Sequence, residues 1–167
     1  MLFRSMQTPP THLRVLKKSR RAPERGDVFA FQHESLSDRF FFGRVVATDT
    51  NLGGLDGWVI LIYLYGASSP EKTVLPELRP SGLLVPPIGT NRLPWSRGFF
   101  EVVKSAPIGP EDLLPQHCFR DIRGFVDEYG KPLPGPIEPV GFYGLSGIGS
   151  IDLKISEALR LPKIGKQ

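Results

Sequence analysis

The sequence is poor in the residues that form covalent cross-links and metal sites. Its 167 residues include one cysteine, Cys118, which excludes an internal disulfide. The three histidines are far apart, and no two have the short spacing of a metal-binding pair: His12, His33 and His117. We therefore expect a protein of a reducing compartment, the cytoplasm, that uses no metal and no other cofactor.

Long apolar runs are also missing. The longest, WVILIYLYGA at 58–67, is shorter than the roughly 18 residues that a membrane-spanning helix requires. The arginines near the N-terminus are not followed by an apolar segment of the kind found in signal peptides. From the sequence we expect neither contact with a membrane nor secretion.

The charges are unevenly distributed. The formal net charge is +4, but residues 1–25 contain seven basic side chains and one acidic one, so the rest of the chain has a net charge of −2. This pattern predicts a basic, flexible arm at 1–24 and a single domain at 25–167. An acidic domain argues against a nucleic-acid-binding surface on the domain itself, whereas the basic arm could bind nucleic acid.

Short apolar and aromatic runs, separated by turns, follow the arm. The β-branched and aromatic content predicts strands at 28–31, 39–48, 58–66 and 99–104. Gly43 lies inside the second run and predicts a bulge or a bend in the sheet. The three phenylalanines before it, 40–42, are expected to fill both faces of a curled sheet.

The remaining elements are short. A further strand is expected from residue 118 to a turn at 127–130, after which the chain returns. Segments 110–115 and 150–162 predict short helices, the second because three apolar residues share one face: Ile151, Ile155 and Leu159. The fold class is therefore mainly β: a single curled antiparallel sheet or a small SH3-like barrel, with one or two short helices.

Catalytic motifs are absent from the sequence. The glycine-rich stretch 144–150 lacks the Lys-Ser/Thr ending of a phosphate loop, and the glycines around Ser146 do not have serine-hydrolase spacing. Cys118 follows His117 directly, and neighbouring side chains on a strand point apart, so a buried inert thiol is expected. No catalytic residue is predicted. A binding protein is favoured over an enzyme, and a small hydrolase using Cys118 or Ser146 is the least favoured alternative.

Five segments occur in an order that resembles the immunity protein 26 family of bacterial polymorphic toxin systems, over residues 24–160: GDVFAFQ…FFFGRVV, ILIYLYG, LLVPPIGTN…WSRGFFEVV, CFRDIRGFVDEYG and VGFYGLSGIGSIDLKISEAL. The resemblance implies a mostly β, non-catalytic, cytoplasmic protein. It would bind and neutralise a cognate toxin domain encoded beside it. The resemblance does not cover the basic arm and does not identify the toxin.

If the toxin is a nuclease, its active-site cleft is basic, and an acidic patch on this protein would be complementary. We therefore expect partner-binding residues at the predicted hairpin tip, Asp127, Glu128 and Tyr129, and secondarily in other loops, Asp38 and Asp56. The alternative interpretation is that Asp127 only initiates the turn and that Glu128 is solvated.

The two tryptophans have different predicted places. Trp95 lies in a predicted loop, where it could close one end of the sheet and contact the partner, whereas Trp58 opens a buried strand and is expected in the core. A rival hypothesis is a nucleic-acid-associated SH3-like module that uses the basic arm at 1–24 on phosphates.

Overall fold

The computed structural model describes residues 11–161, which form nine strands in two sheets and two α-helices. The mainly β class is confirmed. Both sheets are open, with no strand pairing that closes either into a barrel within the described residues. The structure therefore differs from the single sheet expected from the sequence, because the chain after residue 117 builds a sheet of its own.

The first sheet has five antiparallel strands in the order β4-β3-β2-β1-β5. Four of them lie at the predicted apolar runs, and the fifth, β4, is a short edge strand. Their bounds are β1 Asp27–Phe31, β2 Phe40–Thr50, β3 Val59–Ser69, β4 Ile88–Thr90 and β5 Glu101–Ser105.

Each face of this sheet has its own hydrophobic core. One core contains Phe29, Phe41, Trp95 and Ile151, and the other contains Tyr63 together with other residues of both sheets. Within the three-phenylalanine run at 40–42, the second and third side chains are buried and the first is half-buried. A strand that is buried on both faces explains why apolar residues follow one another here without alternation.

Gly43 lies where β2 passes close to its neighbours. The pairing of β2 with β3 shifts register between Phe41 and Gly43, which confirms the predicted irregularity. A Cβ at this position would lie 2.3 Å from a ring carbon of Phe29 and 2.7 Å from the carbonyl oxygen of Tyr63. The glycine is needed because there is no room for a side chain.

Gly43→Ala should therefore lower the free energy of unfolding by about 1–3 kcal/mol, the usual cost of overpacking a core. Urea unfolding followed by circular dichroism measures this loss. Gly82→Ala is the matched control, because a Cβ there meets nothing within 4 Å. A loss at Gly43 no larger than at Gly82 would contradict the steric explanation.

The second sheet has the order β8-β7-β6-β9, with β6 and β9 parallel. Its strands are β6 Cys118–Asp121, β7 Gly124–Val126, β8 Pro132–Leu133 and β9 Val140–Phe142. The chain turns at Ile122 and Arg123, earlier than the sequence suggested, and Gly124 takes a positive φ of 125° directly after this turn. The predicted turn at 127–130 is also present and joins β7 to β8.

The two helices are α1 Leu93–Ser96 and α2 Ile148–Ala158. Helix α2 was predicted from the sequence, although the structure places its start two residues earlier. Ile151 and Ile155, on its predicted apolar face, have no exposed surface. Segment 110–115 forms only a three-residue 3₁₀ turn. Within residues 11–161, no helix combines the length and the apolar content needed to cross a bilayer.

Residues 11–24 of the predicted arm lie against the first sheet and α1. Leu13 is 3% exposed, and the N–H of Leu16 donates to the carbonyl of Gly98 at 2.7 Å. The guanidinium of Arg21 donates to both carboxylate oxygens of the buried Asp27, each at 3.0 Å. Residues 1–10 lie outside the described residues, and the division into arm and domain at residue 25 stays a prediction.

Candidate functional site

Two loops meet where the two sheets adjoin: residues 49–57, at the end of β2, and residues 127–131, after β7. We call these two segments the loop junction. Asn51 connects them, because its backbone N–H donates to the carbonyl of Glu128 at 2.9 Å and its amide nitrogen donates to the carbonyl of Tyr129 at 3.4 Å. Its amide oxygen also accepts from the N–H of Gly57 at 2.9 Å. The backbone and side chain of Asn51 together thus fix the relative position of both loops.

The loop junction presents an aromatic ring among acidic groups. Tyr129 is 48% exposed, and Asp49 and Asp56 are exposed. The Tyr129 hydroxyl donates to a carboxylate oxygen of Asp49 at 3.3 Å. Burial and the nearby Asp49 carboxylate raise the pKa of Tyr129, so its hydroxyl keeps its proton at neutral pH. The structure therefore places Asp56 and the predicted hairpin tip, residues 127–129, in the two segments of the loop junction.

Asp127 has a role within its own turn. Its Oδ1 accepts from the N–H groups of Tyr129 and Lys131, both at 2.9 Å. This is the turn-initiating role that the sequence offered as an alternative. Contact of Asp127 with a partner stays a prediction.

Glu128 points inward and is not solvated. Its Oε2 lies 3.1 Å from Nδ1 of His117, and their side chains are 18% and 10% exposed. An ionised carboxylate only accepts hydrogen bonds, so Nδ1 is the donor. Burial alone would raise the pKa of Glu128, but the hydrogen bond and charge of His117 outweigh it and hold the pKa below its ordinary value.

The chain of hydrogen bonds continues into the core. Nε2 of His117 bonds to the hydroxyl of Tyr63, which also accepts from the N–H of Leu114 at 3.1 Å. Tyr63 has no exposed surface, and burial raises its pKa to about 12. An acid, an imidazole and a hydroxyl also form catalytic triads, but a hydroxyl that is buried and holds its proton cannot attack a substrate. This chain therefore anchors the 127–131 turn to the first sheet.

Glu128→Gln should lower the free energy of unfolding at pH 7 by about 1.5–3 kcal/mol, since it removes a charge-assisted hydrogen bond. The folded-state pKa of Glu128 lies below its ordinary value of 4.5, so its ionised form stabilises the fold above pH 4.5. This contribution is lost as the pH falls through the folded-state pKa. The difference between variant and wild type should therefore shrink below pH 4.5.

Urea unfolding at pH 7 and at pH 3.5 measures both effects. Glu77→Gln is the control, because Glu77 pairs with Arg79 at the surface, where an ion pair contributes little. A Glu128→Gln loss that is equally large at both pH values would contradict a hydrogen bond that depends on the ionised Glu128 carboxylate.

Asp38 lies apart from the loop junction. It follows the short 3₁₀ turn between β1 and β2, its side chain is 73% exposed, and it lies 3.5 Å from the guanidinium of Arg39. The structure therefore does not join it to the other predicted residues. Any contact between Asp38 and a partner stays a prediction.

The expectation that Trp58 lies in the core and Trp95 in an accessible loop is wrong: Trp95 is buried and Trp58 is exposed. Trp95 is 1% exposed, and its ring lies edge-on to Phe29 and Phe100 with centroids 5.2 Å apart in both pairs. The reason is that α1 turns Trp95 into the core. Trp58 is 47% exposed and lines a shallow cleft with Pro23 and Arg92.

The two nucleophile candidates are buried. Cys118 is 1% exposed, and its sulfur accepts from the N–H of Ile137 at 3.4 Å, so the predicted burial of the thiol is confirmed. Ser146 is 4% exposed, and its hydroxyl accepts from the Lys154 ammonium at 3.3 Å. Burial lowers the pKa of Lys154. Because Ser146 is buried, its hydroxyl is not accessible to a substrate.

Comparison with known families gives one match. The model of the family Immunity protein 26 matches residues 24–124, which is more than half of the chain. Comparison with curated proteins and with solved structures finds no match. The matched residues contain the whole first sheet and the 49–57 side of the loop junction, whereas the 127–131 turn lies beyond their end. The chain therefore belongs to the immunity protein 26 family.

Proposed function

We propose that this protein neutralises a cognate bacterial toxin domain in the cytoplasm by binding it, without catalysis, and that the loop junction is its recognition surface. The observation that carries the proposal is membership of an immunity protein family. The buried positions of Tyr63, Cys118 and Ser146 agree with a role that needs no nucleophile.

The rigidity of the loop junction supports its role in binding. Asn51 and Asp127 hold the two loops through backbone hydrogen bonds, and Glu128 is anchored to His117 beneath them. A surface that is already ordered loses little conformational entropy when it binds. Tyr129 adds an exposed ring of the kind that often dominates interface energies.

The charge of the loop junction indicates the chemistry of the partner. Asp49 accepts from the hydroxyl of Tyr129, Asp56 is exposed on the same 49–57 segment, and an acidic surface is complementary to a basic one. A nuclease toxin binds phosphates with clustered lysine and arginine, so its active-site cleft fits this requirement. The proposed target is therefore a toxin domain with a basic cleft.

Co-expression tests the proposed function. The toxin domain encoded next to this protein is expressed alone, with the wild-type protein, and with an unrelated immunity protein as the control. We expect growth only with the wild-type protein, and a stoichiometric complex when the two are copurified. Cell death in the presence of the well-folded wild-type protein, with no complex, would contradict the proposal.

A further inference from the structure

Three polar side chains from distant parts of the chain converge where the N-terminal segment meets α2. They are His12, His33 and Asp152, and one ligand atom from each lies within 4.8 Å of the others. His33 has no exposed surface, Asp152 is 5% exposed, and the ring of His12 is 12% exposed. The cluster is therefore almost closed to solvent and joins three separate elements.

Two of the buried polar atoms have no hydrogen-bond partner among the described residues: Nδ1 of His12 and Oδ1 of Asp152. The other oxygen of Asp152, Oδ2, accepts from the backbone N–H of His12 at 3.3 Å. Nδ1 of His12 is within ion-pair distance of Oδ2 of Asp152, but neither it nor Oδ1 makes a hydrogen bond, and a buried polar atom without one costs free energy. A cation bound by Nδ1 of His12 and the Asp152 carboxylate would compensate for these missing hydrogen bonds.

One distance in the cluster fits a small tetrahedral ion, and the three ligand atoms lie within 4.8 Å of one another, so the side chains would have to close slightly on the ion. With bonds of about 2.0–2.1 Å, two ligand atoms of such an ion lie about 3.3–3.5 Å apart. Nδ1 of His12 lies 3.4 Å from Oδ2 of Asp152. The rings of His12 and His33 are stacked, with centroids 5.0 Å apart and planes at 16°, so one ring would have to tilt before both direct a lone pair at one ion.

We propose that His12, His33 and Asp152 bind a divalent transition-metal ion of the Zn²⁺ type, with a fourth position for water. Two imidazoles and one carboxylate are ligands that Zn²⁺ accepts, and Ca²⁺ or Mg²⁺ would require more oxygen atoms. The ion would fasten the N-terminal segment to α2. This site could not be predicted from the sequence, because the expectation of no metal rested on the wide spacing of the histidines.

Metal binding should break both hydrogen bonds of the His33 ring, the one with Ser156 as well as the one with Ser35. Nδ1 of His33 accepts from the N–H of Ser35 at 3.0 Å, and Nε2 lies 3.2 Å from the hydroxyl of Ser156. Nε2 can bind the ion only if the ring proton moves to Nδ1, because in a neutral imidazole only the unprotonated nitrogen has a lone pair available for a metal. The N–H of Ser35 then loses its acceptor, and its amide signal should shift.

Titration of the full-length, chelator-stripped protein with ZnCl₂ tests the site. We expect calorimetry to show one equivalent bound, with the melting temperature raised by about 5–10 °C when free Zn²⁺ is near 100 times its dissociation constant. His12→Ala and Asp152→Asn should each weaken binding at least tenfold. Glu77→Gln removes an exposed carboxylate outside the cluster and should leave Zn²⁺ binding unchanged.

Two further measurements separate a metal site from surface binding. Co²⁺ should give the visible absorption of a tetrahedral complex, and the Ser35 amide should shift in a ¹⁵N spectrum as Zn²⁺ is added. Circular dichroism confirms that each variant is folded. The absence of stoichiometric Zn²⁺ binding, or binding that both His12→Ala and Asp152→Asn retain, would overturn the proposal.

Discussion

Replacing Asp49 and Asp56 by lysine and Tyr129 by alanine should weaken binding of the cognate toxin domain about 100-fold or more and abolish protection of the host cell. An exposed aromatic residue at the centre of an interface commonly contributes 2 kcal/mol or more, which is about 30-fold in affinity. Placing lysines opposite a basic cleft adds repulsion that slows association. Isothermal titration calorimetry or biolayer interferometry with the purified toxin domain measures the affinity.

The control for this variant must carry the same change of charge. Glu71→Lys with Glu77→Lys alters two exposed acids outside the loop junction. We expect this control to lose less than tenfold in affinity. Equal losses in both variants would show that only the net charge matters, and would contradict recognition at the loop junction.

Trp95→Ala should lower the free energy of unfolding by about 3–5 kcal/mol, whereas Trp58→Ala should change it by less than about 1 kcal/mol. Trp95 is 1% exposed and packs against two phenylalanines, so its loss leaves a large cavity. Trp58 is 47% exposed and already contacts solvent. A loss of this size is a large part of the 5–15 kcal/mol that usually stabilises a domain.

Urea unfolding followed by far-ultraviolet circular dichroism compares the two variants without relying on either tryptophan as the probe. Trp95→Phe is a matched control, since it keeps an apolar ring in the same place and should lose less than the alanine variant. Similar losses for Trp58→Ala and Trp95→Ala would contradict the burial that the structure shows for Trp95.

The strands of the first sheet could be predicted from the sequence because their signal is local. Residues 58–66 are continuously apolar and β-branched or aromatic, and β3 spans Val59–Ser69. Gly43 within such a run likewise indicated an irregular position. The second sheet was less predictable, because its strands have only two to four residues and one pair is parallel.

The exchange of the two tryptophans has a tertiary cause. Trp95 lies in a four-residue helix that follows a loop, and no periodic pattern can develop over so short a length. Its burial depends on Phe29, which lies in the distant strand β1, and on Phe100, which lies shortly after α1. Trp58 stands one residue before β3, where a strand leaves the core.

The contacts at the sites were beyond the reach of sequence spacing. Tyr129 was predicted at a turn, but its partner Asp49 lies 80 residues away, and His12 meets Asp152 across 140 residues. Asn51 offered one local signal, since an asparagine before Leu-Gly-Gly is typical of a turn. That signal predicts the turn, but it does not identify the second loop that Asn51 holds.

Amide hydrogen exchange on the complex with the toxin domain tests the recognition surface most directly. We expect added protection at residues 49–57 and 127–131, and none on α2, relative to the protein alone. Protection confined to α2 and β9, with both loops of the junction exchanging as in the unbound protein, would contradict the proposed surface.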